Sequence, residues 1–199
     1  MSAAPAFGAD EMIETPPYEI VSEHDGLEVR AYEPMLVAEV DVTAPTAREA
    51  ASAGFRPLAG YIFGGNGDGA EIAMTAPVMT QGTAIEDPEG AIAIATSASG
   101  DGPAAWTVQF TMPSEWTMET LPTPSDDSVR LREVPARTIA AIRYVGDDAE
   151  RREAAGEELL AKIEAAGLDM AGPVTIAGYD GPSVPQAERR WEAMVEVAR

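Results

Sequence analysis

The chain has 199 residues, a net charge of −21 and a hydrophobic fraction of 45%, which suits a folded domain rather than a disordered chain. No cysteine is present, which excludes disulfides, thiolate metal sites, iron–sulfur clusters and cysteine nucleophiles, and the single histidine, His24, excludes any site needing two imidazoles. The 34 acidic residues against 13 basic ones set the chain against nucleic acid and anionic membrane surfaces.

Residues 1–17 (MSAAPAFGADEMIETPP) read as a loose arm. They lack the basic start and apolar core of an export signal, so the expected compartment is the cytoplasm, with a periplasmic protein whose signal has been removed as the alternative. No apolar run approaches the ~20 residues that cross a bilayer, so no membrane insertion is expected. Tyr18–Val21 and Leu27–Ala31 are predicted strands around a turn at His24-Asp25-Gly26, and Met35–Val42 is a third. Thr43 offers an N-cap and Pro45 a first-turn proline for a helix over Thr46–Phe63, which Pro57 should kink or break. Strands are predicted at Ile72–Met79, Ala91–Ser97 and Trp106–Met112, and residues 113–128, with three prolines, form a loop. Val129–Arg132 and Thr138–Tyr144 are further strands. Asp147 or Asp148 caps a second helix that ends near Ala166 at Gly167, and Val174–Tyr179 and Trp191–Val197 close the chain.

A weak repeat runs through this order. Val29-Arg30 leads to Glu33-Pro34, a strand and a helix, and Leu131-Arg132 leads to Val134-Pro135, a strand and a helix, at an offset of about 101 residues. The expected organisation is an N-terminal arm (1–17) and one domain (18–199), with pseudo-repeats at about 18–112 and 129–199. The expected fold is α+β: two similar halves pack their helices on one shared sheet or open barrel, with mostly antiparallel pairing.

Chemical motifs are sparse. Gly64-Gly65-Asn66-Gly67-Asp68-Gly69 is not a phosphate loop, because a helix precedes it and a β-like segment follows, the reverse of a dinucleotide fold. The same residues miss the ligand spacing of a calcium loop. His24 sits in a polar hairpin tip, where a histidine is ordinarily solvated. No nucleophile elbow is present. Acidic pairs such as Glu115/Glu119 and Asp126/Asp127 arise readily in so acidic a chain. Met74, Met79, Met112 and Met118 are core fillers or the wall of a pocket for a flat apolar ligand.

Specific phrases, in order, resemble the SOUL / haem-binding-protein family. They are Tyr18-Glu19-Ile20-Val21 with Leu27-Glu28-Val29-Arg30, then Phe55-Arg56-Pro57-Leu58 to Tyr61-Ile62-Phe63-Gly64-Gly65-Asn66, then Ile72-Ala73-Met74-Thr75-Ala76-Pro77. Phe110-Thr111-Met112-Pro113, Ala177-Gly178-Tyr179-Asp180-Gly181-Pro182 and Arg189-Arg190 follow, with Trp191 where the family pattern has asparagine. The resemblance covers roughly residues 17–199. It implies two pseudo-repeats forming a curved, barrel-like sheet flanked by two long helices, and a haem- or tetrapyrrole-binding protein without catalysis, acting as carrier, scavenger or sensor. A monomer or weak oligomer is expected. The implied pocket lies beside the first helix and draws on Arg56, Leu58, Ala59, Ile62 and Met74, with Tyr179 to Pro182 opposite and His24 as the candidate axial ligand. Basic residues for the propionates are few: Arg48 and Arg56 on the first helix. The alternative is a small-molecule-binding or hydrolytic domain, like the distantly similar GyrI-type modules, taking a cationic or aromatic ligand. A plain interaction domain with a filled pocket is the third reading.

Overall fold

The computed structural model describes residues 13–82, 85–86, 92–93 and 104–198. In chain order the elements are β1 (Tyr18–His24), β2 (Leu27–Tyr32), β3 (Met35–Ala44), α1 (Ala47–Ile62), β4 (Val78–Gly82), β5 (Ile85–Glu86), β6 (Ile92–Ala93) and β7 (Ala104–Thr111). Then come β8 (Arg130–Val134), β9 (Arg137–Val145), α2 (Ala149–Ala166), β10 (Thr175–Gly178) and β11 (Arg190–Glu196). β5 and β6 pair only with each other, and the rest of the predicted Ala91–Ser97 strand lies outside the described residues.

The other nine strands form one antiparallel sheet, in the order β1-β2-β9-β11-β10-β4-β7-β3-β8. Both repeats therefore share a sheet, as the α+β reading requires. They also exchange strands. β2 precedes β3 in the chain but pairs with β9, placing Arg30 opposite Ile139, while β8 pairs with β3, placing Arg132 opposite Val37.

Alternation along each strand divides the buried side chains between two faces. On one face, α1 covers β3, β7 and β4, and Leu58, Tyr61 and Ile62 pack against Ala38, Val40, Val108 and Phe110. α2 covers β9, β11 and β2 in the same way, with Ala155, Leu159 and Ile163 against Ala140, Ile142 and Val195. The other face carries no helix but is buried too. Val37 and Val134 from one end of the strand order meet Tyr18, Tyr32 and Ile139 from the other, so the sheet curls until its own inner face becomes a core.

Three local expectations change. Thr46, not Thr43, caps α1: its Oγ1 accepts from the Glu49 backbone N–H at 3.2 Å. Pro57 does not break α1, which runs on to Ile62. An interior proline costs about 3 kcal/mol, and the buried stripe Ala50, Gly54, Leu58, Tyr61 and Ile62 on the sheet outweighs it. The segment predicted as a strand from Ile72 joins the sheet only at Val78, because Pro77 has no donor to give a ladder. Before that point it is held by other bonds. Asn66 Nδ2 donates to the Tyr61 and Ala70 carbonyls, and Thr75 Oγ1 donates to the Thr111 carbonyl. The glycine loop itself is a close turn: a Cβ on Gly65 would lie 2.5 Å from the Gly60 carbonyl oxygen. Residues 13–17 of the expected arm lie against the body, with the Ala76 N–H donating to the Glu14 carbonyl at 2.9 Å.

Candidate functional site

The predicted site residues fall into separate places. Leu58 and Ile62 are fully buried beneath α1 and hold the helix to the sheet, so they present no surface while α1 is docked. Arg56 is exposed and Ala59 half-buried on the same helix. Beside them are two aromatic rings that the site prediction passed over. Phe55 is 40% and Phe63 63% exposed, and Met74 is 37% exposed two residues beyond Ile72, whose N–H donates to the Ile62 carbonyl. Phe55, Ala59 and Phe63 are spaced i, i+4 and i+8, the spacing of one helix face, and Phe55 sits edge-on to the buried Phe110 at 5.4 Å. Phe55 and Phe63 are thus large apolar side chains left partly in solvent on α1 and at its C-cap, with the exposed Arg56 next to Phe55 in the chain. The spacing of Phe55 and Phe63 was the signal available in the sequence.

His24 is elsewhere. It ends β1 at the exposed hairpin tip, where Lys162 of α2 holds Asp25 by a 2.8 Å ion pair. That tip belongs to the half covered by α2, so the structure does not bring the imidazole to the α1 surface. Among the described residues no group of three His, Asp or Glu is arranged to hold a metal ion.

Tyr179 and Pro182 lie on the loop after β10. The Tyr179 hydroxyl donates to Glu192 Oε2 at 2.7 Å, and burial followed by the Glu192 charge raises its pKa. Asp180 takes the Arg190 guanidinium at 2.6 Å and the Arg190 backbone N–H at 2.6 Å, and this pairing lowers its pKa. Pro182 is exposed, and its carbonyl accepts from Arg189.

Inside the curl, Tyr179 joins a charge network that sequence reading missed. Arg30 is wholly buried and forks onto Glu192, also wholly buried, at 2.8 and 2.7 Å. Its Nε donates to Glu28 at 2.8 Å, and its guanidinium carbon stands 4.4 Å over the Tyr18 ring. Arg143 reaches the same two carboxylates, at 2.6 Å to Glu28 and 3.3 Å to Glu192. Burial alone would lower the Arg30 pKa, but its bonds to Glu192 raise it above the ordinary value. Two cations thus neutralise two anions, and no carboxylate of the group is left as a free base. The signal for this cluster was the alternation of Glu28, Arg30 and Tyr32 along β2, which puts all three on one face.

A family model settles what these pieces belong to: the SOUL heme-binding protein model matches residues 13–196. The chain belongs to that family. A relative within reach by sequence is Heme-binding protein 1 of Sus scrofa, 26% identical over 182 residues and covering 89% of each chain. The fold recurs in the C-terminal domain of EcmrR, with a TM-score of 0.62 at 13% identity, over 92% of this chain and 98% of that one. It recurs again in a hydrolase from Listeria innocua, with a TM-score of 0.54 at 12% identity over 89% and 94% of the two chains. At such identities these two share the fold and nothing further is carried over. Two phrases of the SOUL pattern, Tyr179-Asp180 and Arg190-Trp191-Glu192, turn out to be partners. Tyr179 binds Glu192, Asp180 binds Arg190, and the Trp191 ring lies so close to Gly178 that a Cβ there would be 2.6 Å from it.

Proposed function

We propose that this SOUL-family chain is a haem- or tetrapyrrole-binding protein that receives its ligand on the α1 surface as cargo, without catalysing a reaction. The observation that carries the reading is the pair Phe55 and Phe63, exposed on α1 and at its C-cap, with the exposed Arg56 next to Phe55 and Met74 exposed further along the chain of a SOUL domain. A porphyrin has two apolar faces and, in haem, two propionates. The rings and thioether suit the faces, Ala59 leaves room between the rings, and Arg56 suits one propionate. These residues fit the macrocycle, while the imidazole of His24 belongs to the other half. Tyr179 and Pro182 act in this reading by holding the loop after β10 in place. A chain of charge −21 is set against polyanions, so nucleic acid is no partner.

Haemin titration followed in the Soret region tests the proposal. One saturable equivalent is expected, and a featureless, non-saturating titration would overturn it. Phe63→Ser should weaken binding at least about tenfold, ~1.4 kcal/mol, without shifting the unfolding midpoint, while Phe55→Ser should weaken it and lower the midpoint as well, because Phe55 packs on Phe110. Arg56→Glu should weaken haemin more than a propionate-free porphyrin. His24→Ala should leave the spectrum unchanged.

A further inference from the structure

One cavity among the described residues lies away from the α1 surface. It is a cleft of about 380 Å³, walled by residues 14–17, by Glu33 to Leu36 around the start of β3, by Thr75, by residues 111–114 and 116–119 from the end of β7 onward, and by Glu133 on β8. None of Phe55, Arg56, Phe63 or Met74 lines it. A cavity of this size is at the small end of those that enclose organic ligands.

Its lining has three features. Met35, Met112, Met118 and Trp116 give it soft, adaptable apolar walls. Its charged residues are all acidic: Glu14, Glu33, Glu119 and Glu133, with no basic side chain among the described residues that line it. Glu14 is engaged, since its Oε1 accepts from the Ser114 N–H at 2.8 Å, but Glu33 and Glu133 are exposed carboxylates without an ion pair among the described residues. The third feature is independent of charge. Thr111, only 5% exposed, has a hydroxyl with no hydrogen-bond partner, and the buried indole N–H of Trp116 has none either. A buried polar group left without a partner costs about 1–3 kcal/mol, so these two atoms mark a place where a ligand oxygen would be stabilised.

We propose that this cleft is a second binding site, for a compact organic cation with an apolar body and a hydrogen-bonding oxygen. The apolar body lies among the methionines and Trp116. The oxygen takes the indole N–H and the Thr111 hydroxyl, and the cationic head lies between Glu33 and Glu133. The four carboxylates repel the propionates of haem, so the cleft and the α1 surface select opposite charges. This inference does not rest on haem binding at α1.

Benzoylcholine is a suitable probe, because it has a phenyl ring, an ester carbonyl and a quaternary ammonium. Calorimetric titration should give one saturable site, bound at least about tenfold more tightly at low salt than the uncharged isostere 3,3-dimethylbutyl benzoate. Glu33→Gln with Glu133→Gln should remove that preference and leave the isostere's affinity unchanged. Thr111→Val with Trp116→Phe should weaken both probes about tenfold. Saturating benzoylcholine should leave the midpoint of the haemin titration where it was. No binding, equal binding of the two probes, a preference that survives the glutamine variants, or displacement by haemin would each overturn the proposal. Haemin titration alone decides the α1 reading, so the two can fail separately.

Discussion

The two halves are built alike and finished differently. In the first, α1 lies on β3, β7 and β4, and its outer flank leaves Phe55 and Phe63 in solvent. In the second, α2 lies on β9, β11 and β2, and its outward positions are glutamates and alanines, with no large apolar side chain exposed. Lys162 ties α2 to Asp25, and Arg151 stands 5.2 Å from the Tyr144 ring. Beneath the second half, Arg30, Arg143, Glu28 and Glu192 fill the inner face with a closed network. Large apolar side chains stay exposed in both halves, Ile20, Val21 and Val145 on β1 and β9 as well as Phe55 and Phe63, but only those of the first half lie on its helix or at the helix cap. The two helices cover the sheet alike, and the side chains left exposed on each distinguish the halves.

The comparison can be broken from the second half. Arg30→Met leaves Glu192 buried with only the longer contact to Arg143 and the Tyr179 hydroxyl, and should cost about 3–5 kcal/mol in urea unfolding. Replacing Glu192 by Met in the same chain should recover much of that loss, because an apolar pair of similar volume is tolerated where a lone charge is not. Failure of the second change to recover stability would mean that the network contributes more than charge balance.

A smaller effect is expected where Trp191 crosses Gly178. Gly178→Ala places its Cβ 2.6 Å from the ring and should cost about 1–3 kcal/mol by overpacking. In a Trp191→Leu background the same change should cost markedly less, the non-additivity expected of two groups in contact.

The smallest effect sharpens the comparison through pH. Arg190 holds the Asp180 carboxyl below its ordinary pKa, so that pairing stabilises the fold above the unfolded carboxyl's pKa of about 3.9 and is lost as pH falls through the lower folded value. The stability gap between the wild-type chain and Asp180→Asn should be about 1 kcal/mol and constant from pH 7 to about pH 5. It should close below about pH 4, as read from urea midpoints. Haemin binding at α1 should follow none of these three changes except through global unfolding.

The sequence by itself determined the order of the main elements, a weak repeat, the second helix with Gly167 at its end and Asp147 or Asp148 at its start, and the SOUL resemblance. All of these depend on local periodicity, capping chemistry or short phrases, which a linear reading can see. Tertiary structure decided the rest. It chose Thr46 over Thr43 as the cap and carried α1 through Pro57, since burial on the sheet outweighs a local preference. It exchanged β2 and β8 between the halves, a pairing that no offset in the sequence specifies. It buried Leu58 and Ile62, left Phe55 and Phe63 outside, and set His24 beside α2. It joined Arg30 to Glu192 across 162 positions of the chain. Such contacts form only when the sheet curls on itself, because alternation tells which side chains share a face but not what that face will meet.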